Sequence, residues 1–247
     1  MREDSAREPD ADHDPRRGNA TPMTEPEDFQ MKLQLYYAPV ACSMVPYINL
    51  TEAGASFEAI PINMGKGQHN SPEYLKVNPK HKVPVLLIDG DTLTENVAIN
   101  LWIARSFPQA KLLPSDPMKE LKAISLMAWC ASGIHPGLTP NNNPRRFCDL
   151  PGSEENVKQC AQKLLDESFT IADGLLAGRE WFFDHFTAVD TYFFWTFLRA
   201  VRFELKYLDL ARFGHCMAHL ERMKQRPSVQ KLLAFERQTQ ETFAKAA

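Results

Sequence analysis

The order of the hydrophobic patterns is the feature that most constrains how this chain can fold. Residues 31 to 112 follow the periods of strand, helix, strand, β-hairpin and helix in turn. After a proline-rich connection, "KLLPSDPMKE", only helical periods follow. This order predicts a small α/β domain with a mixed sheet over residues 31 to 112 and an all-helical domain over residues 118 to 247.

Local motifs indicate where several of these elements begin and end. The alternating stretch "KLQLYY" predicts the first strand, and the run 43–53 predicts a helix that is closed by Gly54. The next strand, "SFEAIPIN", contains Pro61, which cannot donate a hydrogen bond to a neighbouring strand. We therefore expect this strand at the edge of the sheet. Asp89-Gly90 predicts the turn of the hairpin, and the polar stretch "MGKGQHNSPEY" is interpreted as a connection.

One nearly all-apolar helix is expected at the centre of the helical domain. The segment "FTAVDTYFFWTFLRAV" opens with Thr187 and Asp190 at capping-box spacing, with Asp in place of the preferred Glu. Its apolar residues surround the whole helix, which is typical of a buried element. The aromatic residues in and before it are predicted to pack in the core rather than to form a substrate site: Trp181, Phe182, Phe183, Tyr192, Phe193, Phe194, Trp195 and Phe197.

Composition limits the partners and the location of the protein. Residues 1 to 30 carry four Arg against nine acidic residues, with four prolines and no apolar period, so we predict a disordered tail. The net charge of the chain is −3, which makes nucleic acid an unexpected partner. No stretch approaches the roughly 18 apolar residues of a membrane span, and no secretory signal is apparent. We expect a cytoplasmic protein without membrane contacts.

The five cysteines are scattered along the chain without paired spacing. This pattern disfavours a metal site and a disulfide framework. Cys42 stands apart from the others because it lies at a predicted helix start, where Pro46 is tolerated in the first turn. Free N–H groups and the helix dipole at such a position favour a thiolate over a thiol. The alternative interpretation is that Cys42 is a small residue that fills the cap.

Two further motifs place unpaired backbone groups next to polar side chains. Val83-Pro84 comes directly before a strand, which indicates a tight turn, with a cis bond as one form of it. Glu95 and Asn96 stand at the start of the following helix, where N–H groups and polar side chains can bind a carboxylate. Each of these motifs also has a purely structural explanation as a turn or a cap.

In combination, the motifs resemble the glutathione transferase family over about residues 31 to 235. The stretch "YYAPVACSMVPYINLTEAG" is most similar to the bacterial beta class, with Val40 in a position that is glycine in that pattern. "VNPKHKVPVLLIDGDTLTENVAI" resembles the glutathione-binding block of the family, with Asn96 where serine is usual. "WCASGIHPG" resembles the segment that brings a histidine, here His135, towards the active cysteine.

The resemblance implies a thioredoxin-like first domain that binds glutathione and a homodimer in which each domain contacts the partner chain. It implies that the Val83 backbone, freed by Pro84, pairs with the cysteinyl part of the tripeptide, and that Glu95 and Asn96 bind its γ-glutamyl end. Lys66 would pair with the glycyl carboxylate, a solvated loop lysine being the alternative. Tyr37 is included among the glutathione-binding residues.

Thiol activation is the chemistry that this family performs. Cys42 would either donate a hydrogen bond to the glutathione sulfur or exchange disulfides with it as a single-cysteine oxidoreductase. Ser43, Tyr36 and Tyr37 are rival activating groups. His135 would hold a proton or an oxygen of the electrophile, or would simply bond a helix-end carbonyl.

The resulting hypothesis is a glutathione transferase that acts on small hydrophobic or aromatic electrophiles and has possible thiol transferase activity. Two alternatives stay open. One is a glutathione-dependent enzyme that cleaves aryl ethers or carbon–halogen bonds, and the other is a non-catalytic relative that binds glutathione. Arg145 and Arg146 follow the segment that carries His135. They lie either at the mouth of the pocket or, as the favoured interpretation, on the surface as solvated charges.

Overall fold

The structure is a computed structural model that describes residues 31–203 and 205–245. The predicted tail, residues 1–30, lies outside the described residues. Residues from Met31 onward belong to one compact unit. Within the described part of the chain, no helix combines the length and apolarity that crossing a membrane requires.

The first part of this unit is a mixed sheet with helices, as predicted. The strands lie in the order β2-β1-β3-β4, with β2 parallel to β1 and the other pairs antiparallel. Pro61 ends the edge strand β2, which confirms its expected position. The elements of this part are β1 Leu33–Tyr37, α1 Met44–Glu52, β2 Glu58–Pro61, α2 Pro72–Val77, β3 Val85–Ile88, β4 Asp91–Thr94 and α3 Asn96–Ser106.

Turn residues at the ends of these elements explain why they stop where they do. Gly54 follows α1 with a φ of 68°, and Asp89 and Gly90 join β3 to β4 with φ angles of 50° and 96°. Positive φ at both central residues suits the twist of a two-residue hairpin. The helix α2 was not predicted, although Ser71 caps it by accepting a bond of 3.2 Å from the Tyr74 amide and Pro72 occupies its first position.

The second part of the unit is helical throughout its regular elements. It consists of α4 Pro117–Trp129, a π-helical turn Cys130–Ile134, α5 His135–Asn142, α6 Glu154–Leu176, α7 Ala188–Arg202, α8 Gly214–Lys224 and α9 Pro227–Lys245. The predicted fold, a thioredoxin-like domain followed by an all-helical domain, is confirmed. The boundaries at residues 112 and 118 stay predictions.

Helix α7 is the central element of the helical part. The Thr187 amide donates to Asp190 Oδ2 at 2.8 Å, and the reciprocal bond completes the predicted capping box. Phe193, Phe194 and Phe197 are fully buried. They belong to the same apolar core as residues of β1, α1 and α9, so the sheet and the helices share one hydrophobic interior.

The π-helical turn between α4 and α5 sets the position of His135. Such turns are rare and often occur at functional sites. Gly133 lies inside it, and a Cβ atom at that position would stand 2.6 Å from Cδ1 of Trp129. A side chain there would displace the indole ring, so this close approach requires glycine. His135 is the first residue of α5, directly after the turn.

Candidate active site

A cavity of about 650 Å³ lies between the sheet and the helical part. Its sheet side is formed by the segments that precede α1, β3 and α3, and its helical side by α5, α7 and the chain that follows α5. The lining residues central to the argument are Cys42, Lys82, Val83, Pro84, Glu95, Asn96, His135, Arg146, Phe147, Tyr192, Trp195 and Arg199.

Cys42 lies next to the N-cap residue of α1 and presents its thiol to this cavity. The thiol donates a hydrogen bond of 3.4 Å to the Val83 carbonyl, and Asn96 Nδ2 donates to the Cys42 carbonyl at 3.2 Å. Burial raises the pKa of the Cys42 thiol to about 12, and the nearby Arg199 charge only partly offsets this. The expectation that a helix start favours the thiolate is therefore wrong for the free protein, because the hydration lost on burial outweighs the Arg199 charge and the hydrogen bonds that favour the thiolate. At neutral pH Cys42 is a thiol and a hydrogen-bond donor.

The predicted backbone sites on the sheet side come together around Cys42. The Val83-Pro84 peptide is cis, and both residues line the cavity. Glu95 precedes α3 with a φ of 72°, and its exposed carboxylate pairs with Lys80. Asn96, by contrast, is buried and directed to the backbone of the Cys42 loop.

A chain of buried amide side chains supports Asn96 from behind. Asn100 Nδ2 donates to the Asn96 carbonyl at 2.6 Å, and Asn49 Nδ2 donates to Asn100 Oδ1 at 2.7 Å. The Thr191 hydroxyl on α7 then donates to Asn49 Oδ1 at 2.8 Å. This network connects α7 through α1 and α3 to the Cys42 loop. This network was not predicted, because its members are far apart in the sequence and Asn and Thr residues carry no motif that would link them.

His135 lies on the helical side of the cavity, with its ring 4.4 Å from that of Trp195 in an edge-to-face arrangement. Burial, with help from the charges of Arg199 and Lys82, lowers the pKa of His135 to about 4. The imidazole is therefore neutral near pH 7 and can donate one hydrogen bond and accept another.

Three predicted site residues lie away from the cavity. Ser43 is buried, and its hydroxyl both accepts from the Ala38 amide at 3.0 Å and donates to the Ala38 carbonyl at 3.2 Å. Tyr37 shares the inward face of β1 with Leu33 and Leu35, and burial raises the pKa of its phenol. Lys66 is an exposed residue of the loop after β2. None of the three is among the described residues that line the cavity.

Local orientation explains why Ser43 and Tyr37 do not line the cavity, and Lys66 is not among its described lining residues because it lies exposed in the loop after β2. Ser43 turns inward because its hydroxyl satisfies the backbone of the loop that it closes. Tyr37 points into the core because side chains alternate along β1. Its rival Tyr36 packs edge-to-face on Tyr74, with ring centroids 5.6 Å apart, and is also absent from the described cavity lining.

Several functional residues were missed or assigned elsewhere. Lys82, Arg146 and Arg199 give the cavity a positive lining, whereas Arg145 pairs with Glu154 at 3.0 Å. Arg146 was expected either at the mouth of the pocket or, by preference, as a solvated charge, and it lines the cavity. Of the aromatic cluster, Tyr192 and Trp195 are buried yet also line the cavity. Trp195 follows Tyr192 by three residues and Arg199 follows Trp195 by four. This helical spacing would have placed all three side chains on one face of α7.

The described residues contain no group of three or more His, Cys, Asp or Glu side chains that is able to hold a metal ion. The cavity offers a protonated thiol, a neutral imidazole, cationic side chains and backbone groups. Such a site can bind an anionic peptide-like molecule and orient it against an apolar wall.

Comparisons with known proteins agree with this architecture. The family model "Glutathione S-transferase, N-terminal domain" matches residues 31–105. Glutathione S-transferase GstA of Escherichia coli O157:H7 is 35% identical over 211 residues, which is 83% of this chain and 98% of that protein.

Two solved structures share the fold over nearly their whole length. The bacterial beta class glutathione S-transferase of Sphingomonas chungbukensis is 31% identical, with a TM-score of 0.72 over 82% of this chain and 98% of its own. A sphingomonad glutathione S-transferase solved with glutathione is 29% identical, with a TM-score of 0.71 and the same coverage of 82% and 98%. Sequence identity, fold and cavity together show that this chain belongs to the glutathione S-transferase family and is a glutathione transferase with glutathione as its co-substrate.

Proposed function

We propose that this protein is a cysteine-type transferase of the beta class, in which Cys42 donates a hydrogen bond to the sulfur of glutathione. The observation that carries the proposal is the Cys42 thiol itself, which lines the cavity and is a hydrogen-bond donor, here to the Val83 carbonyl. A donor beside the glutathione sulfur stabilises the thiolate and lowers its pKa. The similarity to the Sphingomonas chungbukensis enzyme supports the assignment to this class.

The charges of the cavity match those of glutathione, which carries two carboxylates and one ammonium. Glu95, which pairs with Lys80 in the free protein, would bind the ammonium, and the start of α3 with Asn96 would offer N–H donors to the neighbouring carboxylate. Lys82 and Arg146 supply cations for the glycyl carboxylate, the role first expected for Lys66. A volume of about 650 Å³ is in the ordinary range of about 300–1,000 Å³ for small-molecule sites.

The helical side of the cavity suits a hydrophobic or aromatic electrophile. Tyr192, Trp195 and Phe147 present ring surfaces, and Phe147 is 52% exposed at the rim. The neutral imidazole of His135 stands among them and can donate a hydrogen bond to an oxygen or a leaving group of the electrophile. The proposed reaction is therefore conjugation of an activated glutathione thiolate with an apolar electrophile.

Conjugation is favoured over disulfide exchange as the main activity. Exchange requires Cys42 as a thiolate, and its pKa of about 12 leaves very little thiolate near pH 7. The homodimer implied by the family stays a prediction, which light scattering of the purified protein will test.

Cys42→Ala and Cys42→Ser, with Cys160→Ala as a matched control on an exposed cysteine, test the proposal. The pKa of the bound glutathione thiol is measured from thiolate absorbance, and kcat/KM is measured with an aryl halide at pH 6.5. Loss of one hydrogen bond in Cys42→Ala is expected to raise that pKa by about one unit and to lower kcat/KM about tenfold. Cys42→Ser keeps a hydrogen-bond donor, so its thiol pKa should rise less and its kcat/KM should fall less. Cys160→Ala should have the thiol pKa and kcat/KM of the wild type.

An unchanged thiol pKa in Cys42→Ala would contradict the proposal and assign activation to another group. Intact mass after incubation with oxidised glutathione separates the two uses of Cys42. A stoichiometric adduct that disappears in Cys42→Ala would favour disulfide exchange over the hydrogen-bond role.

A further inference from the structure

Val40 has a backbone conformation that its side chain disfavours. Its φ is 64°, in the left-handed region, where a β-branched residue is a strong outlier. Residues in such conformations persist only where the surrounding structure holds them, and they concentrate at functional sites. Val40 lies two residues before Cys42, so whatever holds Val40 also helps to hold the catalytic loop.

Side chains from two distant helices hold both backbone groups of Val40. The Val40 amide donates to Glu236 Oε1 on α9 at 2.7 Å, across a sequence separation of 196 residues. The Val40 carbonyl accepts from Arg199 Nη1 at 2.7 Å and from Trp195 Nε1 at 3.2 Å, both on α7. We call these three bonds the Val40 clamp.

Glu236 is the member of the clamp that lies outside the catalytic cavity. It is 3% exposed, and Arg202 neutralises it through two bonds of 3.1 and 2.7 Å. Glu236, Arg202 and Val40 line a separate cavity of about 370 Å³. This cavity and the catalytic cavity share none of their described lining residues, but Val40 in the first is followed along the chain by Ala41 and Cys42 in the second.

A buried carboxylate aimed at one backbone amide has a clear energetic reason. A charge removed from water is stable only when it is paired and fully hydrogen-bonded, and Arg202 and the Val40 amide together meet that requirement. In return, the charge-assisted bond to Val40 is stronger than a neutral one. This bond can therefore stabilise the positive φ angle of Val40, which valine otherwise disfavours.

We propose that Glu236, supported by Arg202, is a positioning residue that keeps Val40 left-handed and thereby sets the place of the Cys42 thiol. The inference rests on the proposed role of Cys42 for its effect on catalysis. Its structural part, the dependence of Cys42 geometry on Glu236, can be measured independently of that role. Helix α9 would thus contribute to thiol activation although none of its described residues lines the catalytic cavity.

A double-mutant cycle between Glu236 and Val40 tests this inference. Glycine adopts positive φ without strain, so Val40→Gly removes the need for a clamp. Glu236→Ala in the Val40 background is expected to lower kcat about tenfold, with the KM for glutathione changed less than about twofold. Adding Glu236→Ala to Val40→Gly is expected to lower kcat less than about twofold. Glu236→Gln, which preserves side-chain volume, replaces the alanine variant if that variant does not fold. It should lower kcat less than Glu236→Ala does, and Val40→Gly should again reduce that loss.

The ion pair between Glu52 and Arg226 provides a matched control. It also joins the beginning of α9 to the rest of the protein, with bonds of 2.9 and 2.7 Å, but it makes no contact with Val40. Glu52→Gln should lower the thermal midpoint as Glu236→Gln does and leave kcat within about twofold of wild type. An equal loss of kcat in both variants, or no suppression by Val40→Gly, would overturn the inference.

Alkylation of Cys42 by iodoacetamide in the absence of glutathione separates this inference from the proposed function. Glu236→Ala should change the alkylation rate at least threefold, and Val40→Gly should suppress that change too. If Cys42→Ala leaves conjugation intact but the alkylation rate follows Glu236, the catalytic role of Cys42 fails and the positioning role stands. An alkylation rate of Cys42 that is the same in Glu236→Ala and in the wild type would overturn the positioning role.

Discussion

The two walls of the catalytic cavity differ in whether backbone groups or side chains form most of their surface. The sheet-side wall consists of chain ends and turns, namely the segments before α1, β3 and α3, and much of what it offers is backbone. The helical wall consists of side chains that project from α5, α7 and the segment after α5. Backbone groups keep one geometry whatever the side chains are, which suits a constant co-substrate such as glutathione. A wall of side chains can change with substitution, which suits a second substrate that differs between relatives.

The walls also differ in how they are supported. Buried amides hold the sheet side, with Asn96, Asn100 and Asn49 bonded in sequence behind the Cys42 loop. Aromatic packing holds the helical side, and Arg199 on that side bonds across to the Val40 carbonyl in the Cys42 loop. Removing one member of a buried polar network leaves its partners without hydrogen bonds, which costs much free energy. Removing one side chain from an apolar rim costs only the contact area of that side chain. Three predictions test this difference, from the largest expected effect to the smallest.

Asn96→Ala should have the largest effect, because it removes a buried donor on which the Cys42 carbonyl depends. We expect a loss of about 2 kcal/mol in the free energy of unfolding, together with a fall in kcat/KM of about tenfold or more. Urea denaturation and steady-state kinetics measure the two. Asn96→Ser keeps a hydroxyl donor and should recover part of both. Equal damage in the two variants would show that side-chain volume, rather than the hydrogen bond, matters at this position.

His135 should make the stability of the helical side depend on pH. The unfolded chain binds a proton to this histidine near pH 6.5, but in the folded protein its pKa is about 4. The unfolded state therefore gains protons first, and the free energy of unfolding falls as the pH drops from about 6.5 to 4. Partial solvent contact reduces the loss to about 1–2 kcal/mol.

Urea denaturation between pH 4.5 and 7 measures this effect. In His135→Gln the decline should be smaller by that amount, because the titrating group is gone. His215→Gln, which changes an exposed histidine, is the control and should decline as the wild type does. A decline in His135→Gln as steep as in the wild type would show that another group causes the loss.

Phe147→Ala should have the smallest effect, confined to the second substrate. Because the ring is 52% exposed at the rim, its removal should raise the KM for an aryl halide only about two- to fivefold. The KM for glutathione should not change. Leu150→Ala is the control, since Leu150 is 67% exposed and is not among the described lining residues. A similar rise in the KM for glutathione would contradict the separation of the two walls.

Much of the fold could be predicted because it depends on local patterns. Hydrophobic period, Gly54, Pro61 and the Thr187–Asp190 capping box each act within a few residues, and the structure confirms them. The π-helical turn before His135 was missed, because i to i+5 bonding has no distinct hydrophobic period. The sheet-side wall could be anticipated for the same reason as the fold, since turns and helix starts are local features.

The sequence by itself determined the order of most elements, although α2 and the π-helical turn were missed, together with several turn and cap residues and the loops that approach Cys42. Only the tertiary structure decided the direction in which Ser43 and Tyr37 point and the protonation of Cys42, because burial depends on what packs above each side chain. It also decided which distant cations and rings complete the cavity. The bond between Val40 and Glu236 joins residues 196 positions apart. No local pattern specifies such a contact, since it exists only when α9 is packed against the rest of the core.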